Sequence, residues 1–241
     1  MITLFIIGII SGISSGLFGI GGGAVRIPLL TLTGMPMIGA YGINLLVIPF
    51  SSLTGAWTHR RNIQWDIAPW IVAGGLMGSV AGALIAGLFH KLVLALIFFF
   101  VSLLTVSGIY LEKILPGISK KIKPEKPIFL IGALITNFIT GMRGGSGGTL
   151  LPSFLRMLKL DMHKSIATSL FTTIFCAMAG AIVYWSRGII DWKHALIITT
   201  GSLIGVQTGS KIALKTKPVW LEASLSVVVV LLAFIALFKV L

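Results

Sequence analysis

The chain has 241 residues, of which 56% are hydrophobic and only 10% charged, and its mean hydropathy is +1.04. An ordinary soluble domain carries roughly 25% charged residues, so this composition excludes a soluble enzyme, a secreted disulfide scaffold and a disordered chain. The net charge of +13 would suit a nucleic-acid binder, but the 19 Lys and Arg sit between apolar segments with no aromatic residues interleaved to stack bases. The environment expected is therefore a lipid bilayer, with no nucleic-acid partner.

Taken in order, residues 1–34 are apolar but interrupted by Gly19-Ile20-Gly21-Gly22-Gly23. As one helix they would extend about 51 Å, more than one crossing of about 30 Å requires and less than two need. A hairpin that dips into the membrane and returns fits this length, with its turn at the glycines. Residues 1–17 lack a basic leading segment, so no cleavable signal is expected. Three ordinary spans follow at about 38–58, 67–89 and 92–111. After a Lys- and Pro-rich stretch the pattern recurs. A second dipping stretch covers 128–158, with its turn at Gly144-Gly145-Ser146-Gly147-Gly148, and spans follow at about 165–186, 194–214 and 219–239.

The recurrence is a duplication. Shifting the chain by 124 to 127 positions sets Pro28 on Pro152, Asn44 on Ser169, Gly55 on Gly180 and Trp65 on Trp192, and it sets Gly74, Gly78 and Gly82 on Gly201, Gly205 and Gly209. The expected organisation is a first membrane repeat over 1–112, a basic cytoplasmic linker over 113–127 and a second repeat over 128–241. A hairpin plus three spans turns the second repeat upside down. Seventeen cations lie at or beyond the ends of the apolar segments, and that arrangement puts thirteen of them on one face, leaving Lys91, Arg187, Lys193 and Lys239 on the other. A single crossing by the first stretch would divide them ten to seven, a weaker form of the excess expected in cytoplasmic loops. The fold expected is an all-α polytopic membrane protein of two inverted-topology repeats. It would lie in a prokaryotic-type plasma membrane with both termini outside; a homo-oligomer stays open.

Inverted repeats with broken helices near mid-depth form the shared central site of secondary transporters. Here each break offers bare backbone N–H groups and a helix start, a combination suited to anions. Arg26 and Arg143, the two cations deep in apolar sequence, stand beside the breaks. A buried arginine costs at least about 2.5 kcal/mol to insert, which makes it a functional candidate. The candidate substrate-binding set is Arg26 and Arg143 for charge, Gly21, Gly22, Gly23, Gly145, Ser146, Gly147 and Gly148 for backbone donors, and Asn44 and Ser169 for neutral hydrogen bonds. The glycine ladders at 74, 78, 82 and 201, 205, 209 have the four-residue spacing of close helix packing, and that is the role read for them.

No catalytic residue, cofactor or metal is expected. All six acids lie at or near span ends, which leaves no mid-membrane carboxylate pair. His59, His90, His163 and His194 each adjoin a Lys or Arg at a segment end and read as interfacial anchors, as do Trp65 and Trp192. Cys176, the single cysteine, reads as a packing thiol.

Gly16-Leu17-Phe18-Gly19-Ile20-Gly21-Gly22-Gly23, followed by Pro28-Leu29-Leu30, Asn44, Trp65 and the glycine ladder, resembles the TauE/SafE family of sulfite and organosulfur anion exporters over nearly the whole chain. The second copy departs from the pattern at Met142-Arg143-Gly144-Gly145-Ser146. The resemblance implies transport of a small sulfur-containing anion such as sulfite, thiosulfate or an organosulfonate. A passive anion channel and a noncatalytic membrane assembly protein remain the alternatives on the same scaffold.

Overall fold

A computed structural model describes residues 1–86, 88, 91–110, 125–142, 144, 145 and 148–238. Most of the basic linker, together with Arg143, Ser146 and Gly147, lies outside the described residues. Within them the fold is all helical: α1 (Ile2–Phe18), α2 (Gly23–Leu32), α3 (Met37–Thr58), α4 (Ala68–Leu84), α5 (Lys91–Ile109), α6 (Lys126–Gly141), α7 (Leu151–Met157), α8 (Met162–Ser186), α9 (Trp192–Lys215) and α10 (Pro218–Phe238). A short 3₁₀ turn at Arg60–Asn62 follows α3. Among the described residues, three helices, Met37–Thr58, Met162–Ser186 and Pro218–Ile235, are long and apolar enough to cross a membrane.

Both glycine clusters interrupt helices. Gly19 ends α1 in the left-handed conformation at φ 72°, and Gly21 and Gly22 follow at 70° and 73°. An L side chain resists that backbone region, so three such residues close together stop the helix where the sequence analysis expects it. The second break, between α6 and α7, carries Gly144 at φ 65°.

The glycine ladders fix how the helices run. Gly8, Gly12 and Gly16 of α1 lie against Ile198, Ser202 and Val206 of α9, while Gly201, Gly205 and Gly209 lie against Phe5, Ile9 and Ile13. A Cβ at any of these six would stand 2.2 to 2.4 Å from a carbonyl oxygen of the opposite helix, so only glycine permits this approach. Residue numbers rise together on both sides, so α1 and α9 are parallel. Gly74, Gly78 and Gly82 of α4 meet Leu130, Leu134 and Phe138 of α6 in the same parallel way. Packing is thus the observed role of both ladders.

Helices α3 and α8 run antiparallel: Gly55 packs on Leu170, whereas Leu45 packs on Gly180. Ile43 and Val47 share a cluster with Ala195 and Ile198, and Gly55 touches Val206, so α3 is parallel to α9. Since α1 and α3 run alike, the chain returns between them through α2. The first stretch of the chain therefore goes out along α1 and comes back along α2.

Candidate functional site

Arg26, in the second turn of α2, is fully buried. Its Nη1 donates to Asn44 Oδ1 at 2.8 Å and its Nη2 to Ser202 Oγ at 2.9 Å, while Nε has no partner. Asn44 is a junction. Its Nδ2 donates to the Gly144 carbonyl at 2.8 Å, and a Cβ on Gly23 would stand 2.4 Å from that same nitrogen. The end of the first break and the beginning of the second thus meet at one buried amide. Gly22 completes the enclosure, because its β-position lies 2.7 Å from the Ser11 carbonyl and 3.0 Å from Arg26 Nη2.

Ser169 stands at the repeat-related position of Asn44 and makes the repeat-related bond, donating to the Gly19 carbonyl at 2.9 Å. Each of the two therefore holds the break of the opposite half in place. The structure brings Arg26, Asn44, Gly22, Gly23, Gly144 and Ser202 together, and it puts Ser169 at the far end of the first break. Gly21 and Gly148 are buried, whereas Gly145 is half-buried and donates its N–H to the Thr140 carbonyl. Arg143, Ser146 and Gly147 are outside the described residues.

Three features went unread in the sequence. Ser202, the second partner of Arg26, sits one residue after a ladder glycine, where spacing alone signals packing. Tyr41 fills the space beside Gly144, whose β-position is 2.2 Å from the Tyr41 Cβ. His59 is a correction: expected at an interface, it is 1% exposed, and neither ring nitrogen has a hydrogen-bond partner. The last turn of α3 packs it inward, whereas its neighbours Arg60 and Arg61 are exposed. His194 does lie at the surface, beside Asp191. Trp65 and Trp192 are 60% and 47% exposed, as belt residues would be, and Cys176 is buried.

An apolar groove of about 290 Å³ lies between α3 and α8, bounded by residues such as Leu46, Phe50, Met178 and Trp185; none of the candidate site residues lines it. Among the described residues no cluster of His, Cys, Asp or Glu could hold a metal ion.

With this geometry the site joins one desolvated guanidinium, an amide, a hydroxyl and the start of a helix whose first N–H groups have no intrahelical partners. Such a set complements a small anion. Residues 4–236 match the model of the family described as sulfite exporter TauE/SafE. The chain is similar to the probable membrane transporter protein YunE of Bacillus subtilis, 25% identical over 96% of this chain and 95% of that one. It is similar to YdhB of the same organism, also a probable membrane transporter protein, 28% identical over 88% of each chain. A probable membrane transporter protein of Methanocaldococcus jannaschii is 29% identical over 92% of this chain and 90% of its own. No solved structure matches the chain.

Proposed function

The chain belongs to the sulfite exporter TauE/SafE family of membrane transporters, and from that premise we propose that it is a secondary carrier of a small, sulfur-containing anion bound where the two glycine breaks meet. The observation that carries this reading is Arg26: a fully buried guanidinium with a free Nε and, among the described residues, no carboxylate against it. Its hydrogen-bond partners, Asn44 and Ser202, are both neutral, so its charge is left for a ligand to neutralise. Backbone N–H groups of Gly21 to Gly23 would add donors beside it, whereas the Gly145 N–H is already given to the Thr140 carbonyl.

The inverted-repeat reading draws support from α3 and α8, which correspond in the repeat and run in opposite directions, and from the α1–α9 and α4–α6 pairs, which exchange under the same relation. In this reading the turn carrying Arg60 and Arg61 and the end of α9 carrying Lys211 and Lys215 face the cytoplasm, where basic residues accumulate. Lys215→Cys tests it, since Cys176 is buried and gives little background. An impermeant maleimide should label the variant only in inverted vesicles; labelling in intact cells would overturn the orientation.

Substrate class is tested with purified protein, first by thermal shift against sulfite, thiosulfate, sulfonates and carboxylates, then by counterflow of the binding anion in proteoliposomes. Arg26→Ala should abolish the shift and lower counterflow by at least about 100-fold, the loss expected on removing a charged hydrogen-bond donor from a buried site. Counterflow equal to wild type, or single-channel currents in place of saturable exchange, would sink the carrier reading.

A further inference from the structure

Many buried hydroxyls in this protein bond back to their own helix, as Ser11 does to the Gly8 carbonyl and Ser51 to the Ile48 carbonyl. Most of the buried polar atoms left without a partner are clustered. Among the described residues eight buried side-chain N or O atoms have no hydrogen-bond partner, and six of them are Ser15 Oγ, Arg26 Nε, Ser52 Oγ, Ser210 Oγ and both ring nitrogens of His59. All six belong to the α1–α2–α3–α9 group. Their order in space follows from contacts already described. Arg26 is bonded to Ser202, which the ladder sets against Gly12. One turn further along α1 come Ser15 and Gly16, and the Gly16 β-position is 2.9 Å from Ser210 Oγ. His59 lies beside the Gly16 backbone. Ser52 is seven residues before it on α3, two turns away on the same face.

Unpaired buried polar atoms are costly singly, and six in one file point to water or a moving proton rather than to packing. We propose that this file is a proton path with His59 as its titrating group, so that the carrier moves a proton together with its anion. The inference rests on the anion reading of Arg26 and adds the second ion to it.

The chemistry favours His59 over its neighbours. Imidazole is the side chain that titrates near neutral pH. The titratable group acting on His59 is His163 at the start of α8, whose own ring is 3.7 Å from Asp161 and bonds the Ala213 carbonyl of α9. Arg60 turns back onto Trp57, and Arg61, Lys211 and Lys215 are exposed. Burial, opposed by the Gly16 backbone carbonyl beside the ring and helped to a smaller degree by His163, holds His59, the residue just past the α3 span, down at about 4. In this closed arrangement it therefore releases its proton. Water reaching it from the basic face would restore a value near 6.5, so opening loads the site and closing unloads it. A positive charge on His59 and an anion at Arg26 stabilise each other, which makes their joint movement the favoured one. The repeat-related position on the opposite side is Tyr184, buried with an unpartnered hydroxyl, and a phenol does not exchange protons near neutral pH. One side alone carries the proton site.

The test uses the full chain in proteoliposomes with labelled thiosulfate, whose charge is constant near neutral pH, and with the membrane potential clamped. Wild type should concentrate thiosulfate in vesicles that are alkaline inside and exchange it by counterflow when the pH is equal on both sides. His59→Gln should lower gradient-driven accumulation about tenfold while counterflow stays within about twofold of wild type. Ser210→Ala should slow the gradient-driven arm alone, and it decides the matter if His59→Gln is inactive in both arms. Accumulation in His59→Gln equal to wild type, or equal slowing of both arms by Ser210→Ala, overturns the proton path and leaves the anion site standing. Absence of counterflow in wild type overturns the anion site and the path with it.

Discussion

Around Asn44 lie a guanidinium, an amide and a hydroxyl, from Arg26 and Asn44 of the first repeat and Ser202 of the second. At the repeat-related positions stand Leu150, Ser169 and Gly75. Leu150 is fully buried, and Gly75 is covered by Cys176 and Asn137. The contrast extends along the file leading to His59. The counterpart of Ser15 is Thr140, which bonds the Thr136 carbonyl, and the counterparts of Ser52 and Ser210 are Ala177 and Ala83. The two halves thus share a backbone plan, with a break held by a side chain from the opposite repeat, but they divide the work. The α1–α2–α3–α9 side concentrates charge and six of the eight unpaired buried polar atoms among the described residues; the repeat-related side is largely apolar or internally satisfied, apart from Ser153 and Tyr184. A duplicated scaffold needs both breaks to let its halves move, whereas a bound anion needs only one set of donors, so polar residues can be lost from one copy without loss of the site.

The largest effect expected from this comparison lies in the ladders. Gly16 and Gly141 are repeat-related, yet a Cβ on Gly16 would meet the Val206 carbonyl at 2.4 Å and the Ser210 nitrogen at 2.6 Å, while on Gly141 its nearest contact is the Ser79 carbonyl at 3.1 Å. Backbone atoms cannot yield to the first contact, whereas the second needs a shift of a few tenths of an ångström. Gly16→Ala is expected to force α1 away from α9 and lower the melting temperature in detergent by about 5 to 10 °C. Gly141→Ala should lower it by less than about 3 °C. Equal shifts would mean that the two helix pairs are packed alike and that the asymmetry stops at the polar residues.

How much of this was legible in the sequence depends on what each residue answers to. Span positions were legible because apolar length is a local property, and the observed helices match the expected spans closely, except that α4 ends at Leu84. The breaks were legible because Gly19, Gly21 and Gly22 serve a backbone conformation that other residues resist. The pairing of Asn44 with Ser169 was legible as a repeat relation. Its target was not, since a carbonyl exposed by an unwound turn is supplied by the opposite half of the chain. His59 was misread for a similar reason. Next to Arg60 and Arg61 it looks like part of a basic loop, and only the approach of α1, permitted by Gly16, turns it inward. Ser202 was hidden within a ladder whose glycines gave a sufficient account of their own spacing.

A smaller effect is expected where the second half is the more polar of the two. Near the end of α7, Arg156 Nε donates to Glu222 Oε1 of α10 at 2.7 Å, and both side chains are largely shielded, at 25% and 11% exposure. Among the described residues the end of α2 shows no corresponding ion pair: α2 ends at Leu32, which is 80% exposed, and Gly34 beyond it has open space at its β-position. The returning helix of the second hairpin is therefore fastened to α10, while that of the first is held by packing and by the Arg26 cluster. Glu222→Gln removes the partner and leaves Arg156 charged and mostly shielded, so it should cost about 1 to 2 kcal/mol, seen as a melting shift of a few degrees. Arg156→Met combined with Glu222→Met removes both charges and should cost less than the single change, because no charge is left without a partner. If the double variant were the less stable one, the pair would be a net source of stability rather than a positional lock.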